Sequence, residues 1–355
     1  MYPTIKLDHL LRLTDDRGLI QFAPYSVPNP KTGYSLDDNA RGIIVAVKYF
    51  QLTGDKRGLE LARTYLSFVR DAQTKEGKFH NLLAYDHTWH DLESSEDSYG
   101  RALWGLGYAV AVGGEGKLSQ TARHIFDQAL PWLESLVSPR AKALSLLGLA
   151  HYQRANPDCR QVGEAISRLA DALVAHFHNV ADSEWAWFED YLAYSNGKLP
   201  QALLLAYQSV SQEEYLSVGR RSLDFLLNVL FVDGKLDIIG NNGWHQRYGE
   251  RAHFDQQPVD AGATVEVCLT AYQVLGEEKY RQLALQAFRW FFGENRVGVP
   301  LYDPQTGGCS DGLHPHGVSE NQGAESTLAY LLSYLLLLES IPPAQWESYG
   351  LSIAR

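Results

Sequence analysis

Carboxylates stand at a recurring place in this chain, at the heads of long apolar runs. Asp37-Asp38, Glu96-Asp97, Asp260, Glu320 and Glu325 all lie so, and Glu189-Asp190 follows the aromatic stretch SEWAWF at 183–188. Two carboxylates in different environments can serve as proton donor and base, because burial raises one pKa while a nearby cation lowers the other. An acid beside Trp185, Trp187 and Phe188 would, if desolvated, stay protonated as a donor must. The plainer role is helix capping, since the partial positive charge of a helix N-terminus favours acids there. Capping accounts for Asp38 or Asp260. It does not account for Glu189 and Asp190, which lie upstream of the helix head at Ser195-Asn196-Gly197. The expected catalytic set is therefore Asp190 or Glu189 working with Asp97 or Asp260.

Other residue types point to ligand contacts. Asp38 with Arg41, and Asp97 with Arg101, have the spacing to pair across one helical turn; buried, each pair would orient its members and offer donors to hydroxyl groups. Trp89, Trp187, Tyr194, Trp244 and Tyr248 are the candidate stacking rings. His80, His87, His90, His245, His253, His314 and His316 cluster in the same long loops, and imidazole is poised for proton transfer near neutral pH. His314-Pro315-His316 and His87 with His90 invite a metal reading, but no HExxH-type spacing accompanies them, so no metal is expected. The chain has no phosphate-cradling Gly loop ahead of a Lys-Ser/Thr pair, no GxSxG elbow and no dinucleotide fingerprint, and no cofactor is expected. GGEGK at Gly113–Lys117 reads only as a connector.

The elements that must position these residues come in repeats. A short polar stretch leads into a run rich in Gly, Ala and apolar residues; a turn follows, then a second run with apolar residues three and four apart, as in Leu59, Leu61, Tyr65, Phe68 and Val69. Such units begin near Asp37, Glu96, Ser138, Ser195 and Asp260, and a sixth at Asn321 lacks its second helix. Aligning the heads places Arg41, Arg101, Arg140, Lys198, Ala263 and Ala324 in one column. Asp38, Ser98, Ser138, Asn196 and Asp260 sit where N-caps would, and Pro200 suits a first helical turn. First helices apolar on every side must be buried on every side. They should form an inner ring within an outer ring of amphipathic second helices, an (α/α)6 toroid forming one domain over residues 1–355. The N-terminal IKLDHLLRLTDD could supply the missing outer helix. Successive heads fall at irregular intervals of roughly 40 to 65 residues, unlike the fixed ~34-residue period of an open tetratricopeptide solenoid. The extra residues lie between each second helix and the next first helix, on one face, where function is usually placed. GKFHNLLAYD and GKLDIIGNNGW in those loops alternate like short β-hairpins.

Bulk properties exclude some classes. The 355-residue chain is 45% hydrophobic and carries a net charge of −11 with no basic tract, which argues against nucleic acid or anionic membranes as partners. No apolar run reaches the ~18 residues of a membrane span, and no signal peptide is read at the N-terminus. Cys159, Cys268 and Cys309 are scattered and odd in number, so neither a zinc site nor a disulfide framework is expected. These features point to a soluble cytoplasmic protein.

The pattern resembles the six-hairpin glycosidase superfamily over nearly the whole chain. That superfamily holds inverting glycoside hydrolases, unsaturated glucuronyl hydrolases and N-acylglucosamine 2-epimerase-like proteins. More narrowly, GKFHNLLAYDHTWHD, WAWFEDYLAYSNGKLPQALLLA and CSDGLHPHGVSENQGAESTLAYL look like a bacterial group in which such a toroid stands alone or beside glycosyltransferase domains. The resemblance implies a mono- or oligosaccharide ligand, with a glycosyltransferase as a further partner. A glycoside hydrolase with paired carboxylates is then the first expectation. A histidine-using sugar epimerase or isomerase is the second, and a non-catalytic glycan-binding or scaffolding toroid the third. The binding set expected beside the acids is Asp38, Arg41, Trp89, Arg101, Trp187, Tyr194, Trp244, His245, Tyr248, His316, Asn321 and Glu325. Fold alone does not fix a reaction.

Overall fold

The structure is a computed structural model that describes residues 2–112 and 116–353. Twelve α-helices run along the described chain: α1 Asp8–Leu13, α2 Leu36–Thr53, α3 Lys56–Ala72, α4 Glu96–Val112, α5 Lys117–Ala129, α6 Pro139–Ala155, α7 Arg160–Val180, α8 Lys198–Val210, α9 Glu213–Leu230, α10 Pro258–Leu275, α11 Glu278–Arg289 and α12 Ala324–Ser340. From α2 onward the even-numbered helices pack side by side in chain order, and α12 closes onto α2. Each of α3, α5, α7, α9 and α11 packs on the helix before it, and α1 packs on α12. This is the (α/α)6 toroid, closed by the N-terminal segment as expected.

The two rings differ as their sequences require. In α2 every residue from Asp38 to Tyr49 is buried, whereas α3 buries one face through Leu61, Tyr65, Phe68 and Val69. Glycine sets the closest approach in the inner ring: a Cβ on Gly107 would lie 2.1 Å from the carbonyl of Gly148, and one on Gly148 would lie 2.2 Å from that of Leu103. Those contacts bring the backbones of α4 and α6 together.

Capping is less regular than expected. Ser138 caps α6 by accepting from the Ala141 N–H. Ser35 caps α2, and Ser95 accepts from the Ser98 N–H at the head of α4. Asp38, Ser98 and Asp260 lie inside their helices' first turns, and Asn196 bonds back to Ala193, so none of these four is an N-cap. Of the acids, Asp38 accepts instead from the hydroxyl of the capping Ser35, and Asp260 from the Ser195 N–H of another loop. Gly113–Glu115 of the GGEGK connector lie outside the described residues.

Four two-stranded ladders lie in the long loops: β1 Tyr34–Ser35 with β2 Leu82–Leu83, β3 Tyr191–Leu192 with β6 His245–Gln246, β4 Phe231–Val232 with β5 Lys235–Leu236, and β7 Leu313–His314 with β8 Gly317–Val318. Two are local hairpins. The other two correct the expectation, because β2 and β6 pair with strands of a different loop and tie neighbouring connections together. The turns at the opposite end are short: Gly54-Asp55, Asn156–Cys159, Ser211-Gln212 and Gly276-Glu277. Among the described residues no helix is long and apolar enough to cross a membrane.

Candidate active site

The column of cations aligned from the sequence becomes a ring of buried charges, each paired with an acid from another element. Arg41 reaches Glu325 of α12 at 2.7 Å and its own Asp38 at 3.1 Å. Arg101 of α4 reaches Asp37 of α2 at 3.1 Å. Arg140 of α6 reaches Glu189 at 2.6 Å, and Lys198 of α8 reaches Glu266 of α10 at 2.6 Å. A pairing that links different hairpins fixes the register of the inner helices at this end and spreads positive charge under its carboxylates.

Two acids at the heads of adjacent inner helices are pushed in opposite directions. Asp260, in the first turn of α10, is buried, and desolvation raises its pKa to about 7; the Glu325 charge adds to the rise, while the Ser195 N–H at 2.5 Å and the guanidinium groups of Arg140 and Arg101 oppose it. Glu325, in the first turn of α12, keeps 43% of its side-chain surface exposed. Its surroundings penalise the charge, but Arg41 and Arg101 outweigh that penalty and hold the carboxyl below its ordinary value. Asp38 is a third case: desolvation lifts it to about 6 against the pull of Arg41. Separated pKa values in one site are the physical basis for distinct acid and base roles.

Around these acids stand polar and aromatic groups from the loops. The Tyr194 hydroxyl donates to Asp97 at 2.6 Å, and Ser138 donates to the other oxygen of that carboxylate at 3.1 Å. Glu189 accepts from the Tyr191 hydroxyl at 2.9 Å as well as from Arg140. Trp244 stacks on Tyr191 at 5.9 Å between ring centroids and lies 6.4 Å from Tyr194. The β3–β6 ladder makes this aromatic wall, joining segments more than fifty residues apart. Trp244 has φ +59° and Ser195 φ +50°, a conformation rarely adopted by non-glycine residues and found at positions the surroundings over-determine.

Several expected residues fall elsewhere. Asp190 is 72% exposed and pairs with Arg247 at 3.1 Å, so the desolvation expected of it beside the tryptophans does not occur. Trp187 is fully buried against Phe188 and Phe225 and presents no face to a ligand. Tyr248 is 89% exposed beneath Arg247. Trp89 packs between His80 and Phe68. His245 lies edge-on to Trp185, and burial lowers its pKa, leaving a neutral ring. His316 is exposed at the β7–β8 turn. Asn321 accepts the Ala23 N–H and donates to Asp311, which commits it to holding loops together. No described residues form a cluster of three or more potential metal ligands. Missing from the expected set were Tyr191, which shares both Glu189 and the Trp244 face, and Ser195, whose N–H meets Asp260. Alternation in YLAYS was the available signal for the first; nothing local marks the second.

No protein-family model matches the chain, and no curated protein matches its sequence. Solved structures do match its fold. A D-mannose isomerase superposes with a TM-score of 0.71 at 13% identity, covering 94% of this chain and 96% of that one. A cellobiose 2-epimerase from Bacillus thermoamylovorans superposes with a TM-score of 0.72 at 11% identity over 94% and 96% of the two chains. An inactive α-1,6-mannanase variant from Salegentibacter, with two consecutive aspartates changed to alanine and α-1,6-mannotetrose bound, superposes with a TM-score of 0.64 at 12% identity over 94% and 96%. At such identities the likeness shows the toroid and leaves the reaction to the site's own chemistry.

Proposed function

We propose that this protein is a glycoside hydrolase in which Asp260 donates a proton to the glycosidic oxygen and Glu325 acts as the base. The observation that carries the reading is the opposite displacement of these two carboxyls at the heads of neighbouring helices: Asp260 raised to about 7 and Glu325 lowered. Glycosidic cleavage needs one protonated and one ionised carboxyl across the scissile bond. Inverting enzymes leave ~6.5–9.5 Å between their two carboxyls for the attacking water, a span that side chains on adjacent helices, with axes about 8–10 Å apart, can bridge. Inversion of configuration is the expected outcome. Arg41 and Arg101 keep Glu325 ionised, and the Ser195 N–H orients Asp260. Tyr191, Tyr194 and Trp244 form the wall against which a sugar ring would lie. Carboxylate chemistry has a precedent on this fold in the mannanase made inactive by replacing two consecutive aspartates.

The likeness to an isomerase and an epimerase supports a second reading, sugar epimerisation by histidine. Against it, His245, His253 and His314 face Trp185, Asp237 and Asp255 respectively, and none is bonded to the carboxylates at the helix heads. Proton NMR of a panel of α- and β-linked oligosaccharides separates the two readings. New reducing ends of inverted configuration, lost in Asp260→Asn and in Glu325→Gln, support hydrolysis. An epimerised sugar with the glycosidic bond intact overturns it.

A further inference from the structure

The other end of the barrel holds a cavity of about 760 Å³ that the reaction described above does not use. All six inner helices contribute to it, mostly from their C-terminal halves, and its volume lies within the range of small-molecule sites. A layer containing Arg41, Arg101 and Lys198 separates it from the acids at the helix heads; the space left in that layer is about 20 Å³, room for about one water. Two of the turns at this end, Ser211-Gln212 and Gly276-Glu277, are only two residues long.

The polar groups of this cavity are arranged in closed pairs. Lys48 of α2 meets Glu339 of α12 at 2.5 Å, and Glu266 of α10 is met at 2.6 Å by Lys198 of the separating layer. The same lysines lie over aromatic rings, Lys198 4.2 Å from the centroid of Trp104 and Lys48 4.8 Å from that of Tyr108. Gln201 donates to Thr270 at 3.1 Å. The charged residues that line the cavity, Lys48 and Arg154 against Glu266 and Glu339, sum to no net charge. Arg154 lies at the rim in the last turn of α6, where a cation complements the helix C-terminus. One group stands apart. His151 touches Tyr108 edge-on but makes no hydrogen bond to a described residue, and burial together with Arg154, Lys48 and Lys198 keeps its ring neutral.

We infer that this axial cavity is a second binding site, taking a neutral polyhydroxylated ligand the size of a mono- or disaccharide. A charged ligand would leave a net charge in a cavity whose lining charges already cancel. A purely apolar one would strip water from carboxylates, amides and an imidazole without replacing its hydrogen bonds. A sugar satisfies both conditions: hydroxyls to the fixed carboxylate, amide and imidazole groups, and C–H faces to the leucines between them. Neutral His151 supplies one donor and one acceptor, which suits a hydroxyl. The site is independent of the hydrolase reading, since it shares neither Asp260 nor Glu325.

The test is titration with glucose and cellobiose, glucose 6-phosphate and glucuronate, following tryptophan fluorescence and heat. His151→Leu removes the imidazole, and Gln208→Trp fills the partly exposed mouth. Glu325→Gln acts from the opposite end, on the far side of the layer that holds its partner Arg41. The expected result is neutral-sugar binding that survives Glu325→Gln and weakens at least about tenfold in both axial variants. The inference is overturned if the folded axial variants bind like wild type, if only Glu325→Gln weakens binding, if the two anions bind more tightly than glucose, or if none of the four binds. Wild-type crystals soaked in cellobiose give a check that needs no variant: sugar density in the axial cavity supports the site, and an empty cavity overturns it. Loss of hydrolysis in Asp260→Asn is a separate readout, so either reading can fail alone.

Discussion

The backbone N–H of Ser195 donates to the Asp260 carboxylate at 2.5 Å, across 65 residues of sequence. The bond ties the loop that carries Tyr191 and Tyr194 to the head of α10. It also gives the acid a donor without adding a charge, so Asp260 is held in place while burial still raises its pKa to about 7. Ser195 reaches this position through a left-handed conformation, φ +50°.

The first prediction is the pH profile of hydrolysis. The proton donor must be protonated, so kcat/KM is expected to fall as pH rises through about 7, where Asp260 ionises. The base must be ionised, and Glu325 lies below its ordinary value, so the acid limb should appear only at low pH. Asp260→Glu should move the alkaline limb and leave the acid limb in place. An alkaline limb that does not respond to this substitution would remove Asp260 from the donor role.

Stability should carry the same signature. In the folded protein Asp260 holds its proton up to about pH 7, whereas an unfolded aspartate releases it near 4. Between those values the native state binds more protons, so this group's effect on stability is neutral at low pH and grows unfavourable as pH rises from about 4 to 7. The cost at pH 8 is on the order of a few kcal/mol. Asp260→Asn should therefore raise the midpoint of urea unfolding at pH 8 and change it little at pH 4. Equal effects at both values would show that the carboxyl is not perturbed in this way.

The toroid was legible because inner helices such as 258–275 are apolar nearly all round, a pattern that burial on all sides explains. The aligned heads were also informative: Arg41, Arg101, Arg140 and Lys198 do form one ring. The acids were harder. Asp190 reads as a buried donor among tryptophans, yet Arg247, 57 residues later, draws it to the surface once β3 pairs with β6. Asp260 reads both as a cap and as one of two partners for the Glu189-Asp190 pair, because its burial depends on a loop from the preceding hairpin. Trp187 and Trp244 are both loop tryptophans, and only the fold distinguishes the buried one from the one lining the wall. The axial cavity has no sequence signal, since its residues lie within helices that read as uniform core.

Adjacent residues Glu189 and Asp190 should behave oppositely. Arg140 and Glu189 form a buried pair, and Arg140 also donates to the Tyr194 carbonyl at 2.8 Å. Arg140→Met leaves Glu189 buried without its counter-charge and is expected to cost about 3–5 kcal/mol. Asp190→Asn removes half of an exposed contact and is expected to stay within about 0.5 kcal/mol, with hydrolysis unchanged. Chemical denaturation measures both. A large loss of turnover in Asp190→Asn would return that acid to the catalytic set.

The inner ring's glycines offer a test of the packing itself. On Gly148 a methyl group would meet the Leu103 carbonyl at 2.2 Å, and that neighbour is backbone, so only a shift of α6 against α4 makes room. Gly148→Ala should cost about 1–3 kcal/mol despite alanine's better helix propensity, because overpacking outweighs it. Gly163 is the control: it lies within α7, and a Cβ there meets only the Gln153 Oε1 at 3.8 Å. Gly163→Ala should therefore stabilise by roughly 0.5–1 kcal/mol. If the two substitutions shift the thermal midpoint in the same direction, α4 and α6 do not approach as closely as these glycines require.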